Sequence, residues 1–138
     1  MFRNFEHITE AEAHCPCGCG LVANDWLLNL SEKFLEKVGS PTKITSLVRC
    51  KEYNHHLYNG ESYRFGYDNS PHLLNEEGYG AGDFAYMAKR KGSDMIWLAL
   101  EFFNSGEINH IEICDRHIHI AKTDHPALTE LIQWGRSK

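Results

Sequence analysis

The sequence predicts an α+β domain built on a small, mainly antiparallel sheet flanked by helices. Residues 25–38 carry apolar side chains at helical spacing, and residues 107–122 hold two neighbouring runs rich in strand formers. Helices and strands do not alternate in the strict order that a parallel βαβ sheet requires. The length of 138 residues, 42% apolar and 24% charged, suits one domain with a single core and excludes a disordered or fibrous chain.

In chain order, Asn24 is placed to cap a helix, with Asp25 in its first turn and Leu27, Leu30, Phe34, Leu35 and Val38 along one face. Gly39 and Pro41 end it. Thr42–Arg49 is β-branched and predicts a strand; Glu52–Tyr58 predicts a short helix. Residues 59–82 have no clean period and predict a long loop, a feature that is usually functional or mobile in a small domain. Asp83–Ala88 predicts a strand, and Ser93 caps a helix through Phe103 that Gly106 stops. Glu107–Cys114 and Arg116–Lys122 predict two adjacent strands. A last helix is expected from about Pro126 to Trp134, with Pro126 near its first turn, where a missing N–H does no harm.

A net charge of −5 argues against a chain that lives by neutralising phosphates, so no nucleic-acid partner is expected. No apolar run approaches the roughly 20 residues that span a bilayer, and Met1–Gly20 lacks the apolar stretch of a signal peptide. The expectation is a chain made in the cytosol that does not insert into a membrane.

Five Cys and nine His are the distinctive composition, because these side chains are the usual ligands of zinc. Cys15, Cys17 and Cys19 stand in CPCGCG, whereas Cys50 and Cys114 are isolated. An odd count makes a disulfide framework a poor fit. Either the cluster and Cys50 hold a metal, or the cysteines are reduced thiols in a turn punctuated by glycine. The second is the preferred expectation, since C-x-C-x-C is tighter than the usual zinc knuckle.

In Asp115-Arg116-His117-Ile118-His119-Ile120, alternation puts Asp115, His117 and His119 on one strand face and the isoleucines on the other. Two imidazoles and a carboxylate on one face suit a metal with an acid–base partner, although two surface histidines on an amphipathic strand fit as well. Upstream, Ser70-Pro71-His72 closes the long loop and Gly80-Ala81-Gly82-Asp83 leads into a strand. A loop His, a strand Asp and a distant strand His make the three-ligand set that catalytic zinc sites commonly use. An exposed loop His and a turn-capping Asp are the plainer alternative.

S-x-H, then A-x-D, then a late H-x-H resembles the zinc D-Ala-D-Ala carboxypeptidase and murein peptidase family, whose metal core is shared with lysostaphin-type peptidases and the hedgehog domain. The order of upstream elements is similar to the phage and bacterial branch: Phe5, CPCGCG, the Trp26–Val38 helix, then ITSLVRC with Asn54 following. The resemblance covers roughly residues 5–122 and implies a hedgehog-like or D-Ala-D-Ala peptidase-like fold. It implies His72, Asp83 and His119 as ligands of Zn²⁺, His117 as the partner that stabilises the transition state, and Arg49 as the group that binds a peptide's terminal carboxylate. The family's general base is a carboxylate shortly before the final ligand, for which Asp115 is the first candidate and Glu112 the second.

Two positions depart from the pattern. The step from His72 to Asp83, eleven positions, is longer than the family's by about four, which adds about 0.4 kcal/mol of loop-closure cost. Leu47 stands where the family has Gly after T-S. The activity implied is zinc-dependent hydrolysis of a peptide bond in peptidoglycan stem or cross-bridge peptides, by a monomer that reaches the wall after release or as part of a virion. A zinc-binding cell-wall recognition or virion component without turnover is the alternative.

Overall fold

The computed structural model describes residues 5–58, 70–86 and 92–135. In chain order it contains α1 (Glu10–Ala13), α2 (Asp25–Val38), β1 (Ile44–Ser46), α3 (Lys51–Tyr58), a 3₁₀ turn (Pro71–Leu73), β2 (Gly80–Ala85), α4 (Gly92–Asn104), β3 (His110–Ile113), β4 (His117–Lys122) and β5 (Leu131–Trp134). The architecture is α+β: a five-stranded sheet in the order β1-β2-β4-β3-β5, flanked by helices. β1, β2, β4 and β3 pair antiparallel, but β5 runs parallel to β3. The sheet is therefore mixed, which corrects the expected mainly antiparallel one.

α2 forms where its pattern predicts. The Asn24 side chain accepts the Leu27 N–H at 2.8 Å, and Gly39 ends the helix in the left-handed conformation that its missing Cβ allows. The same Asn24 amide donates to the Glu76 and Tyr79 carbonyls, tying the helix to the segment ahead of β2. α1, which the composition did not announce, starts with a capping box between Thr9 and Glu12. Its signal, T-x-x-E, is present in the sequence.

One face of the sheet carries Phe84, Ile118, Ile120, Ile111 and Ile113, all buried. α2 and α4 supply Leu27, Phe34, Leu35, Met95, Ala99 and Phe102 to the same core. Phe34 links the layers: its ring lies 4.8 Å from that of Phe84 and meets that of Phe102 edge-on at 5.6 Å. Such pairs add about 1 kcal/mol each beyond the area they bury. Among the described residues no helix is long and apolar enough to cross a membrane.

Three other expectations shift. The Thr42–Arg49 strand shortens to Ile44–Ser46, because the chain turns off the sheet to exchange hydrogen bonds with the 3₁₀ turn: Arg49 N–H donates to the His72 carbonyl at 2.9 Å. The second strand begins three residues before Asp83, at Gly80; its predicted end, residues 87 and 88, lies outside the described residues, as do residues 59–69 of the long loop. Gly82 sits inside that strand because a Cβ there would lie 2.8 Å from the Phe84 ring.

The expected C-terminal helix is replaced by a turn and β5. A helix of that length is marginal alone. Glu130 takes a positive φ of 62°, its N–H donates to the Asn109 carbonyl at 2.7 Å, and Leu131–Trp134 then pairs with β3. That pairing satisfies backbone groups that an uncovered β3 edge would leave exposed, and the tertiary gain overrides local helical spacing.

Candidate metal centre

The face of the sheet away from the isoleucines is polar. Strand register puts Ser46, Asp83, His119, Glu112 and Gln133 in one row across all five strands. His117, two residues before His119, shares the face, as its alternation predicts. The 3₁₀ turn brings His72 to the same place. One ligand atom from each of His72, Asp83 and His119 lies within 4.8 Å of the others, and all three residues are buried.

Asp83 is the hub. Its Oδ1 accepts from His119 Nδ1 at 2.8 Å and lies 3.6 Å from His117 Nε2. Its Oδ2 accepts from Arg49 Nη2 at 3.3 Å and lies 3.1 Å from His72 Nε2. Burial opposes the charge on Asp83, but the imidazoles of His72 and His119 outweigh it and hold the carboxyl well below its usual 3.8.

The His72 contact is not a hydrogen bond. His72 Nδ1 lies 2.5 Å from the Leu47 carbonyl oxygen, which can only accept, so Nδ1 carries the proton. Burial, helped by the Arg49 charge, pushes His72 down to about 4, so its Nε2 is a bare lone pair at neutral pH. That lone pair is buried with no hydrogen-bond partner, 3.1 Å from a carboxylate oxygen. Two acceptors facing each other in a dry site repel unless a cation lies between them. His119 Nε2 is likewise buried without a partner. For a tetrahedral ion with bonds of about 2.0–2.2 Å, neighbouring ligand atoms stand about 3.4 Å apart, close to the 3.1 Å between His72 Nε2 and Asp83 Oδ2. The residues therefore fit a divalent ion such as zinc.

Arg49 is buried, and its guanidinium is built into the site: Nε donates to Ser46 Oγ at 2.9 Å and Nη1 to Asn54 Oδ1 at 3.2 Å. Those two partners, with Asp83, fix its plane. Asp115 is not where alternation puts it. It lies exposed among residues 114–116, the turn between β3 and β4, so it does not share the strand face with His117 and His119. The cause is the hairpin: Cys114 N–H donates to the His117 carbonyl at 3.1 Å, which ends the ladder there.

Glu112 does face the site, directly across from His119 on β3. Gln133 Nε2 donates to its Oε2 at 2.9 Å, and Gly135 leaves room for the carboxylate, since a Cβ there would collide with Oε1. The sequence does not reveal Gln133 and Gly135, because a helix expected over residues 126–134 hides their place beside β3. His110 is a further buried imidazole, edge-on to His119 at 5.4 Å, with Nδ1 hydrogen-bonded to the Leu131 carbonyl at 2.9 Å.

The buried imidazoles make a sign-definite prediction for the metal-free protein. Burial depresses His72 to about 4 and His110 to about 3 from the usual 6.5, and lowers His117 as well. Below 6.5 the unfolded chain takes up protons that the folded one refuses, so the stability contributed is complete above that pH and is lost as pH falls toward 4. Melting in chelator should show Tm falling steadily across that interval; a flat profile contradicts the placement of these rings in a dry site.

No family model matches this chain, and no curated protein or solved structure matches it.

Proposed function

We propose that the chain is a zinc-dependent hydrolase that cleaves a peptide bond in peptidoglycan stem or cross-bridge peptides, on a fold of the hedgehog and D-Ala-D-Ala peptidase kind. The observation that carries the metal is the bare His72 Nε2 facing Asp83 Oδ2 at 3.1 Å. The substrate class rests on the resemblance of the S-x-H, A-x-D and H-x-H motifs, whose His72, Asp83 and His119 converge on one site.

Zinc held by those residues would supply an activated water and polarise the scissile carbonyl, lowering the water's pKa from 15.7 toward about 7. The rest of the chemistry belongs to side chains. Glu112, across from His119, takes the proton from the attacking water and delivers it to the leaving amine. The hydrogen bond from Gln133 orients that carboxylate. His117, half-buried on the same face, donates to the oxygen on which charge develops. Arg49 neutralises Asp83 from one side, and the resemblance assigns it the further role of binding a substrate carboxylate beside the site by a charge-assisted contact. The protein would act on the wall after release from the cell that makes it, or from a virion.

Purified sacculi provide the test. The zinc-loaded protein should release new free amines, lose that activity in chelator and regain it on adding zinc. Zinc binding with no amine release at any pH would instead assign the chain to cell-wall recognition without turnover.

A further inference from the structure

A second set of metal-ligating side chains lies outside this site and stands independently of the function proposed for it. Cys15, Cys17 and Cys19 come from the loop between α1 and α2, and Cys50 immediately precedes α3. The four Sγ atoms lie within 4.8 Å of one another. Cys17 Sγ is 3.5 Å from Cys15 Sγ and 3.5 Å from Cys50 Sγ. A disulfide needs about 2.05 Å, and none is formed. Four thiolates around one zinc at about 2.3 Å stand about 3.8 Å apart. The cluster already has the dimensions of a tetrahedral site.

The tight C-x-C-x-C spacing is what makes this arrangement unexpected. In an extended chain, Cys15 and Cys19 would stand about 13 Å apart, too far for the three cysteines to share one ion. Here the loop curls. Gly18 at φ 82° and Gly20 at φ 90° take conformations that a side chain would strain, and the Cys15 N–H closes the loop on the Leu21 carbonyl at 2.8 Å. Two backbone N–H groups already address sulfur: that of Cys50 donates to Cys15 Sγ at 3.3 Å and that of Tyr53 to Cys50 Sγ at 3.4 Å. Such bonds orient ligand sulfurs toward the centre of the cluster.

The geometry points to a structural zinc site formed by Cys15, Cys17, Cys19 and Cys50, which clamps the N-terminal loop to the start of α3. The four thiols give up their protons to solvent as the ion binds. With all four positions filled by sulfur, the ion has no open position for water and does no chemistry. Its role is positional. Cys50 adjoins Arg49, whose backbone holds His72 and whose guanidinium holds Asp83, so the clamp steadies the wall of the other site.

The test uses the full chain purified under reductant, with zinc counted by elemental analysis. Cys17→Ser/Cys19→Ser should lose one equivalent that His72→Ala retains. Cobalt titrated into the metal-free wild type should give the intense near-ultraviolet absorption of thiolate ligation, and His72→Ala should keep it. This arm needs no cysteine variant to fold. Absence of that absorption, unchanged zinc in the double variant, or iron in place of zinc overturns the proposal. One zinc that survives His72→Ala but not the cysteine changes upholds the clamp and removes the hydrolase's metal. The reverse pattern does the opposite.

Discussion

His72→Ala is expected to lose the ion held with Asp83 and His119 and, with it, all measurable hydrolysis. The side chain supplies one of three ligand atoms from a buried position, and its orientation is locked by the bond from Nδ1 to the Leu47 carbonyl. Removing an outer partner of a metal ligand already costs about 10–100-fold in affinity, and removing the ligand itself costs more. His119→Ala should behave alike. Because each change also leaves a void, Asp83→Asn provides the conservative check: it keeps the shape and weakens the charge that attracts the ion. Circular dichroism would verify folding while zinc and amine release are measured on the same samples. Zinc bound at wild-type affinity by all three variants would contradict the site.

The second large effect separates the two carboxylates. Glu112→Gln preserves volume and the ion, and should lower hydrolysis by about 10²–10⁴-fold, the range for a positioned acid–base group. Asp115→Ala, in the exposed turn, should hydrolyse at the wild-type rate. Steady-state rates on stem peptides, with zinc content measured beside them, decide it. An inactive Asp115 variant beside a fully active Glu112 variant would move the base to the turn.

These two carboxylates also show where the sequence is legible. Alternation along His117–Ile120 reports correctly which side chains share a face, because the period of a strand is local. Nothing local says where the strand starts. The turn at residues 114–116 takes Asp115 off the ladder, and antiparallel register then sets Glu112 opposite His119. Register belongs to pairs of strands, so a single strand's pattern cannot contain it.

α2 is legible for the opposite reason, since its cap, apolar face and terminating glycine all lie within sixteen consecutive residues, 24–39. Residues 131–134 fail because LIQW fits either period, and the choice is made by the open edge of β3. Gly80 and Gly82 resemble loop residues by composition. They are strand residues here because Leu27 and Phe84 occupy the space that their side chains would need. The cysteines fall between these cases: their identity was plain, but a loop that returns Cys17 to Cys50 across 33 positions has no sequence period.

Anomalous diffraction at the zinc edge, from crystals of the zinc-loaded protein, locates the ion itself. A peak is expected between His72 Nε2 and Asp83 Oδ2, within bonding distance of both and of a His119 nitrogen. A map with no peak there, in protein that has been saturated with zinc, would contradict it.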